Sequence, residues 1–167
     1  MLAAIQRVWQ SGRDKAALAY RRRLGLADDP RIGVVVKRLM PADVAGVLFT
    51  CDPVSGAPDR WVIEACWGLG EAVVSGLVDP DLYIASPAGD LLEARLGTKR
   101  MAVLPESGGG TSQRVVEDER LCLDETAVHA LAGLGAACER LFVPRQDIEW
   151  ALSGSKPWLL QSRPITT

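Results

Sequence analysis

Near its C-terminal end the chain carries two runs rich in Ile, Trp and Leu, residues 146–152 and 157–165, separated by a Ser-Gly-Ser-Lys break. Two such runs flanking a short Gly/Ser turn read as a β-hairpin. With an odd loop, such as residues 154–156, Glu149 lies opposite Gln161 and Asp147 opposite Arg163. Side chains alternate at period two, so these four share one face. Ile148, Trp150, Leu152, Trp158 and Leu160 share the other. A one-residue slip would break both groupings, so the apolar face fixes the polar one. Carboxylate and amide oxygens suit a hard cation such as Mg²⁺, which also takes phosphate oxygens. Arg adds a planar fork for phosphate. The alternative is a solvated sheet face with an Asp–Arg pair, since charged residues usually lie at surfaces.

Upstream, Leu2, Ile5, Val8 and Trp9 recur at helical spacing, predicting an amphipathic helix that ends near Ser11-Gly12. A second helix runs from Asp14 through Arg23, with Gly25 as its C-cap. Arg21, Arg22 and Arg23 read as a solvated face at a helix C-terminus, where the dipole favours positive charge. Residues 32–37, 45–51 and 60–66 read as strands joined by Pro41-Ala-Asp and the Asp52-Pro-Val-Ser-Gly turn. Residues 82–85 and 91–97 add two more. Short strands with tight turns imply an antiparallel sheet rather than βαβ units, hence an α+β fold. The glycine-rich turn at residues 67–70 reads as a strand-to-helix connection. Residues 105–119, rich in Gly and charge, read as a mobile loop. Asp124 caps a helix whose apolar face is Val128, Leu131, Leu134, Cys138 and Leu141.

The 167 residues are one domain's worth, and a net charge of −2 argues against nucleic acid or an anionic membrane as the main partner. The four cysteines show no Cys-x-x-Cys spacing and His129 is the single histidine, so zinc is not expected. No apolar run reaches membrane-spanning length, and the N-terminus does not read as a signal peptide; a cytoplasmic protein is expected.

Several stretches carry a resemblance. Gln146-Asp-Ile-Glu-Trp-Ala with Leu160-Gln-Ser-Arg-Pro-Ile-Thr, and Glu64-Ala-Cys-Trp-Gly-Leu-Gly-Glu, resemble the ATP-grasp nucleotide-binding domain of the phosphoenolpyruvate synthase and pyruvate phosphate dikinase family. Rifampicin phosphotransferase is similar here. The resemblance extends over residues 1–167, as a single partial ATP-grasp domain that looks like the second lobe, a largely antiparallel sheet flanked by helices. It implies that Glu149 and Gln161 hold Mg²⁺ and that Arg163 holds ATP phosphates, with Asp147 and Arg163 as the catalytic pair. It places Glu71 near the nucleotide and Lys37, where the family usually has Gln, beside the adenine pocket. It further implies that a first lobe precedes residue 1, and that a phosphohistidine domain and a phosphoenolpyruvate-binding barrel follow Thr167. Gly109-Gly-Thr-Ser-Gln113 resembles the family's phosphohistidine signature but has Gln where the nucleophilic imidazole belongs, and reads as a surface loop. Two readings follow. The chain is the Mg·ATP-binding part of such a phosphotransferase, or of an antibiotic-modifying relative. Alternatively it is a non-catalytic relic or interaction module that keeps the fold.

Overall fold

Pro41-Ala-Asp ahead and the Asp52-Pro turn behind bound the apolar run at residues 44–49, and that run becomes an inner strand of the main sheet. In the computed structural model, which describes residues 1–165, the chain forms two units, residues 1–39 and residues from Met40 onward. The second holds strands β1 (Val44–Phe49), β2 (Trp61–Trp67), β3 (Asp81–Ala85), β4 (Leu91–Arg95), β5 (Met101–Pro105), β6 (Thr111–Val115), β7 (Gln146–Ser153) and β8 (Lys156–Pro164). Six of them form one sheet in the order β4-β3-β2-β1-β7-β8, every neighbouring pair antiparallel. Strands β5 and β6 pair with each other. With helices α1 (Leu2–Ser11), α2 (Lys15–Arg23), α3 (Glu71–Val74) and α4 (Glu125–Leu141), this is the expected α+β, largely antiparallel architecture.

One face of the sheet packs against α4. Asp124 caps that helix by accepting from the Ala127 amide at 2.8 Å. Val128, Leu131 and Cys138 of α4 then share a core with Leu48, Ile63, Tyr83, Ile148 and Trp150. The approach is close. A Cβ on Gly135 would sit 2.6 Å from the Trp61 ring, so only glycine lets this turn of the helix lie against the strands. Leu134 packs at the margin of the core, whereas Leu141, assigned to the same stripe from sequence, is 78% exposed one turn beyond it.

The opposite face carries a smaller cluster of Ala42, Ala45, Cys66, Leu69, Ala72, Val103 and Ala151, with Leu160 against it. Part of its cover comes from Val103. Residues 101–105 pair with residues 111–115, which the sequence reading gave to a loop, as the β5–β6 hairpin, with Gly109 and Gly110 at its tip. That hairpin is tied to the glycine-rich turn by a parallel bridge between Gly68 and Val103 and by the Leu69 amide on the Val103 carbonyl at 2.8 Å. Gly68 has φ +76°, and a Cβ there would lie 2.4 Å from that carbonyl.

In the first unit, both helices form as expected. Gly25, at φ +68°, follows the C-cap Leu24, and its amide and that of Leu26 satisfy the Arg22 and Arg21 carbonyls. The basic run is occupied locally: Arg22 pairs with Asp28 at 2.7 Å and Arg21 donates to the Ala27 carbonyl. Residues 32–37 are not a strand, contrary to the sequence reading. β-Propensity reports how well a side chain suits a packed sheet, and here Val35 and Val36 are 80% and 62% exposed with no ladder beside them among the described residues.

Candidate nucleotide and metal site

The β7–β8 register brings the four hairpin residues together as the alternation argument required. Glu149 lies opposite Gln161, and Asp147 opposite Arg163. Val47 and Phe49 stand beside Glu149 and Asp147 on β1, and all of these point to the face away from α4. Arg163 donates through Nε to Asp147 Oδ2 at 2.8 Å, with Arg163 62% exposed and Asp147 15%. Contact through Nε leaves the rest of the guanidinium fork turned to solvent. The hydrogen bond to Asp147, then that residue's charge and the charge of Glu149, raise the Arg163 pKa further. Its positive charge is therefore permanent.

The register is reached by a different route from the one expected. The turn has two residues, Gly154 at φ +59° and Ser155, so that Ser153 faces Lys156. The Asp43 carboxylate holds it, accepting from the Gly154 amide at 2.7 Å. A bulge on β8 at Leu160 then restores the pairing of Glu149 with Gln161. Trp158 and Leu160 consequently leave the α4 face. Trp158 lies opposite Ala151, on the site side, with the Lys156 ammonium 4.2 Å from its ring centre. Trp150 alone of the two tryptophans belongs to the main core.

Glu71, the first residue of α3, is exposed on the same side of the sheet, because Gly70 lies over Ala45 and Ala72 packs into the smaller cluster. Two amides of the glycine-rich turn before it are engaged within the fold: those of Gly68 and Leu69 bond the Asp43 and Val103 carbonyls. Lys37 is exposed, in a segment of the first unit without regular secondary structure.

Glu64 was not singled out as a site residue. It faces Val47 across β1–β2, on the same face and at the same level as Glu149. Burial raises its carboxyl pKa, Asp79 adds to the rise and Arg95 opposes it. Period-two alternation along residues 61–67 was the signal that would have found it.

The donor set fits a hard cation. Glu149 and Gln161 would offer a carboxylate and a carboxamide oxygen as ligands, and no group of three or more His, Cys, Asp or Glu able to hold a metal ion occurs among the described residues. Mg²⁺ suits such a sparse site, because it keeps waters and takes phosphate oxygens besides one or two protein ligands.

Comparison with known proteins decides the relationship. Residues 1–167 match the family described as pyruvate phosphate dikinase, AMP/ATP-binding domain. The chain belongs to that family. A rifampicin phosphotransferase of a Streptomyces species is 40% identical over all of this chain, which covers 20% of that protein. A probable phosphoenolpyruvate synthase of Methanothermobacter thermautotrophicus is 38% identical over all of the chain, covering 25% of that protein. A prodigiosin-synthesising transferase of Serratia marcescens is 35% identical over 98% of the chain and 19% of its own length. The chain thus spans 19% to 25% of the length of these relatives.

Proposed function

We propose that this member of the family is the Mg·ATP-binding part of a phosphoenolpyruvate synthase-like phosphotransferase, working with further domains of a longer protein or with separate chains. The observation that carries the reading is the pairing of Glu149 with Gln161 and of Asp147 with Arg163 on one sheet face. In this reading Glu149 and Gln161 hold Mg²⁺, and Arg163 binds the triphosphate while Asp147 fixes its guanidinium. Glu71 serves the nucleotide from α3. The metal would neutralise phosphate charge; the chain's own part is positioning and charge complementarity, on which phosphoryl transfer chiefly depends. The acceptor belongs to the rest of the protein. Relatives named for rifampicin and for phosphoenolpyruvate synthesis match nearly equally, at 40% and 38% identity.

Arg163 is 62% exposed, so its attraction for phosphate is screened by water. Titrating the chain with ATP and Mg²⁺ should give a Kd of high micromolar to millimolar, roughly −4 to −5 kcal/mol. Arg163→Ala and Glu149→Ala should each abolish the signal. Tight binding that survives both substitutions would put the nucleotide elsewhere and reject this site.

A further inference from the structure

Counting outward from the hairpin turn, Ser153 faces Lys156, Leu152 faces Pro157, Ala151 faces Trp158 and Trp150 faces Leu159. Continued without a break, that register would set Leu160 against Glu149, Gln161 against Ile148, Ser162 against Asp147 and Arg163 against Gln146. Gln161 and Arg163 would then point to the α4 side, and the site would not exist. The bulge at Leu160 prevents this, yet a bulge interrupts the ladder and needs something beyond it to hold the shifted pairing.

Behind the site, on the α4 side, is a group able to do so. Gln146 is 1% exposed, and its carboxamide is engaged at both ends. Nε2 donates to the Val143 carbonyl at 2.6 Å, and Oε1 accepts from the Ser162 hydroxyl at 2.7 Å. Ser162 stands between Gln161 and Arg163 and points to the opposite face from them. Gln146 is itself anchored. Its amide donates to Thr50 Oγ1 at 2.8 Å, and Thr50, 2% exposed, donates to Glu139 Oε1 of α4 at 2.5 Å. Glu139 Oε1 also accepts from the amide of Arg145, which holds a φ of +65°. In the slipped register Ser162 would turn to the site face. The Gln146 oxygen would lose its donor in a buried place, and the Arg163 guanidinium would be driven toward the core.

We infer that Gln146, through Ser162, is a positioning residue that locks the β8 register and so keeps Gln161 and Arg163 on the site face. The register role stands on geometry alone; its consequence for Mg·ATP rests on the function proposed above. Heteronuclear NMR of the full chain tests both together, reading cross-strand backbone contacts and a titration with Mg·ATP. Ser162→Ala should weaken the Glu149–Gln161 cross-strand contact and reduce Mg·ATP affinity about five- to tenfold, the worth of one buried hydrogen bond. Ser162→Thr, which keeps the hydroxyl, should preserve both. Gln146→Leu should have the larger effect, and if it fails to fold the Ser162 pair still decides. A Ser162→Ala variant that loses thermal stability but keeps both the contact and the affinity would overturn the inference. If the wild-type chain does not bind Mg·ATP, the proposed function fails instead. The cross-strand contacts then decide alone, a changed pattern in Ser162→Ala supporting the register lock and an unchanged one rejecting it.

Discussion

Lys99 donates to Asp81 at 2.8 Å with side-chain exposures of 1% and 0%, a buried ion pair. Asp81 also accepts from the Gly97 and Cys122 amides, and Lys99 from its side donates to the Arg120 carbonyl. The pair thereby fastens the segments on either side of the β5–β6 hairpin to β3. Removing one partner strands the other charge, so Asp81→Asn or Lys99→Met should cost about 3–5 kcal/mol in denaturant unfolding. The pH dependence has a definite sign. Burial pushes the Asp81 carboxyl up, but the Gly97 amide, Lys99 and the Cys122 amide together hold it below the usual value of 3.8. Its contribution is therefore complete above that value and disappears as pH falls below it, a loss that the Asp81→Asn variant should not show. Glu64 behaves oppositely, because burial raises its carboxyl above 4.5. Its folded form holds the proton more tightly, so its stabilisation is present in acid and is lost as pH rises through the raised pKa. Glu64→Gln should accordingly raise the melting temperature at neutral pH by a few degrees at most, and leave it unchanged in acid. A lower melting temperature at neutral pH would show that Glu64 is held by partners as an anion.

The two hairpin tryptophans separate cleanly at the level of elements. Trp150 is 0% exposed in the main core, so Trp150→Ala should cost about 3–5 kcal/mol. Trp158, half-buried on the site face under Lys156, should cost distinctly less when truncated. Equal losses in chemical denaturation would mean that the turn has three residues and sets Trp158 opposite Leu152 on the α4 side. The contrast also shows what the sequence could convey. Apolar runs bounded by turn residues gave β1, β2, β3, β4, β7 and β8, and helical spacing with caps gave α1, α2 and α4. Of these, α1, α2 and β4 bury no residue and were legible from spacing and turns alone, whereas β1, β2, β3, β7 and α4 each bury the apolar face that their pattern announces. The pairings of Glu149 with Gln161 and Asp147 with Arg163 were legible for the same reason. The bulge was not. It needs one extra residue in an already apolar run, and two-residue and three-residue turns fit Ser-Gly-Ser-Lys equally well. Strands β5 and β6 were hidden too, since β6, Thr111–Val115, is mostly exposed and polar and pairs only with β5. Gln146 was read as the first residue of a motif, and nothing in its neighbours announced that its carboxamide is buried.

At the scale of the whole molecule, the apolar clusters lie entirely among residues 42–152 and the partly buried Leu160, all within the second unit. Helices α1 and α2 of the first unit bury no residue, and Val8 and Trp9 are each 49% exposed. The segment that leads into the second unit has no backbone hydrogen bond at residues 32–36 among those described. Local opening there costs little, because few buried contacts or protected amides must be broken first. Limited trypsin digestion should therefore cut first at the exposed Arg31 or Arg38, ahead of sites within the main sheet. It should leave a fragment beginning near Leu39 that carries Asp147, Glu149, Gln161 and Arg163. That fragment should retain the cooperative unfolding transition of the intact chain, since both clusters remain whole, and its midpoint should fall only slightly. Mass spectrometry of the early digest identifies the cut, and a denaturant titration of the purified fragment reports its stability. Initial cleavage within β1 or β7, or a fragment that unfolds without a cooperative transition, would show that the first 39 residues are part of what holds the sheet together.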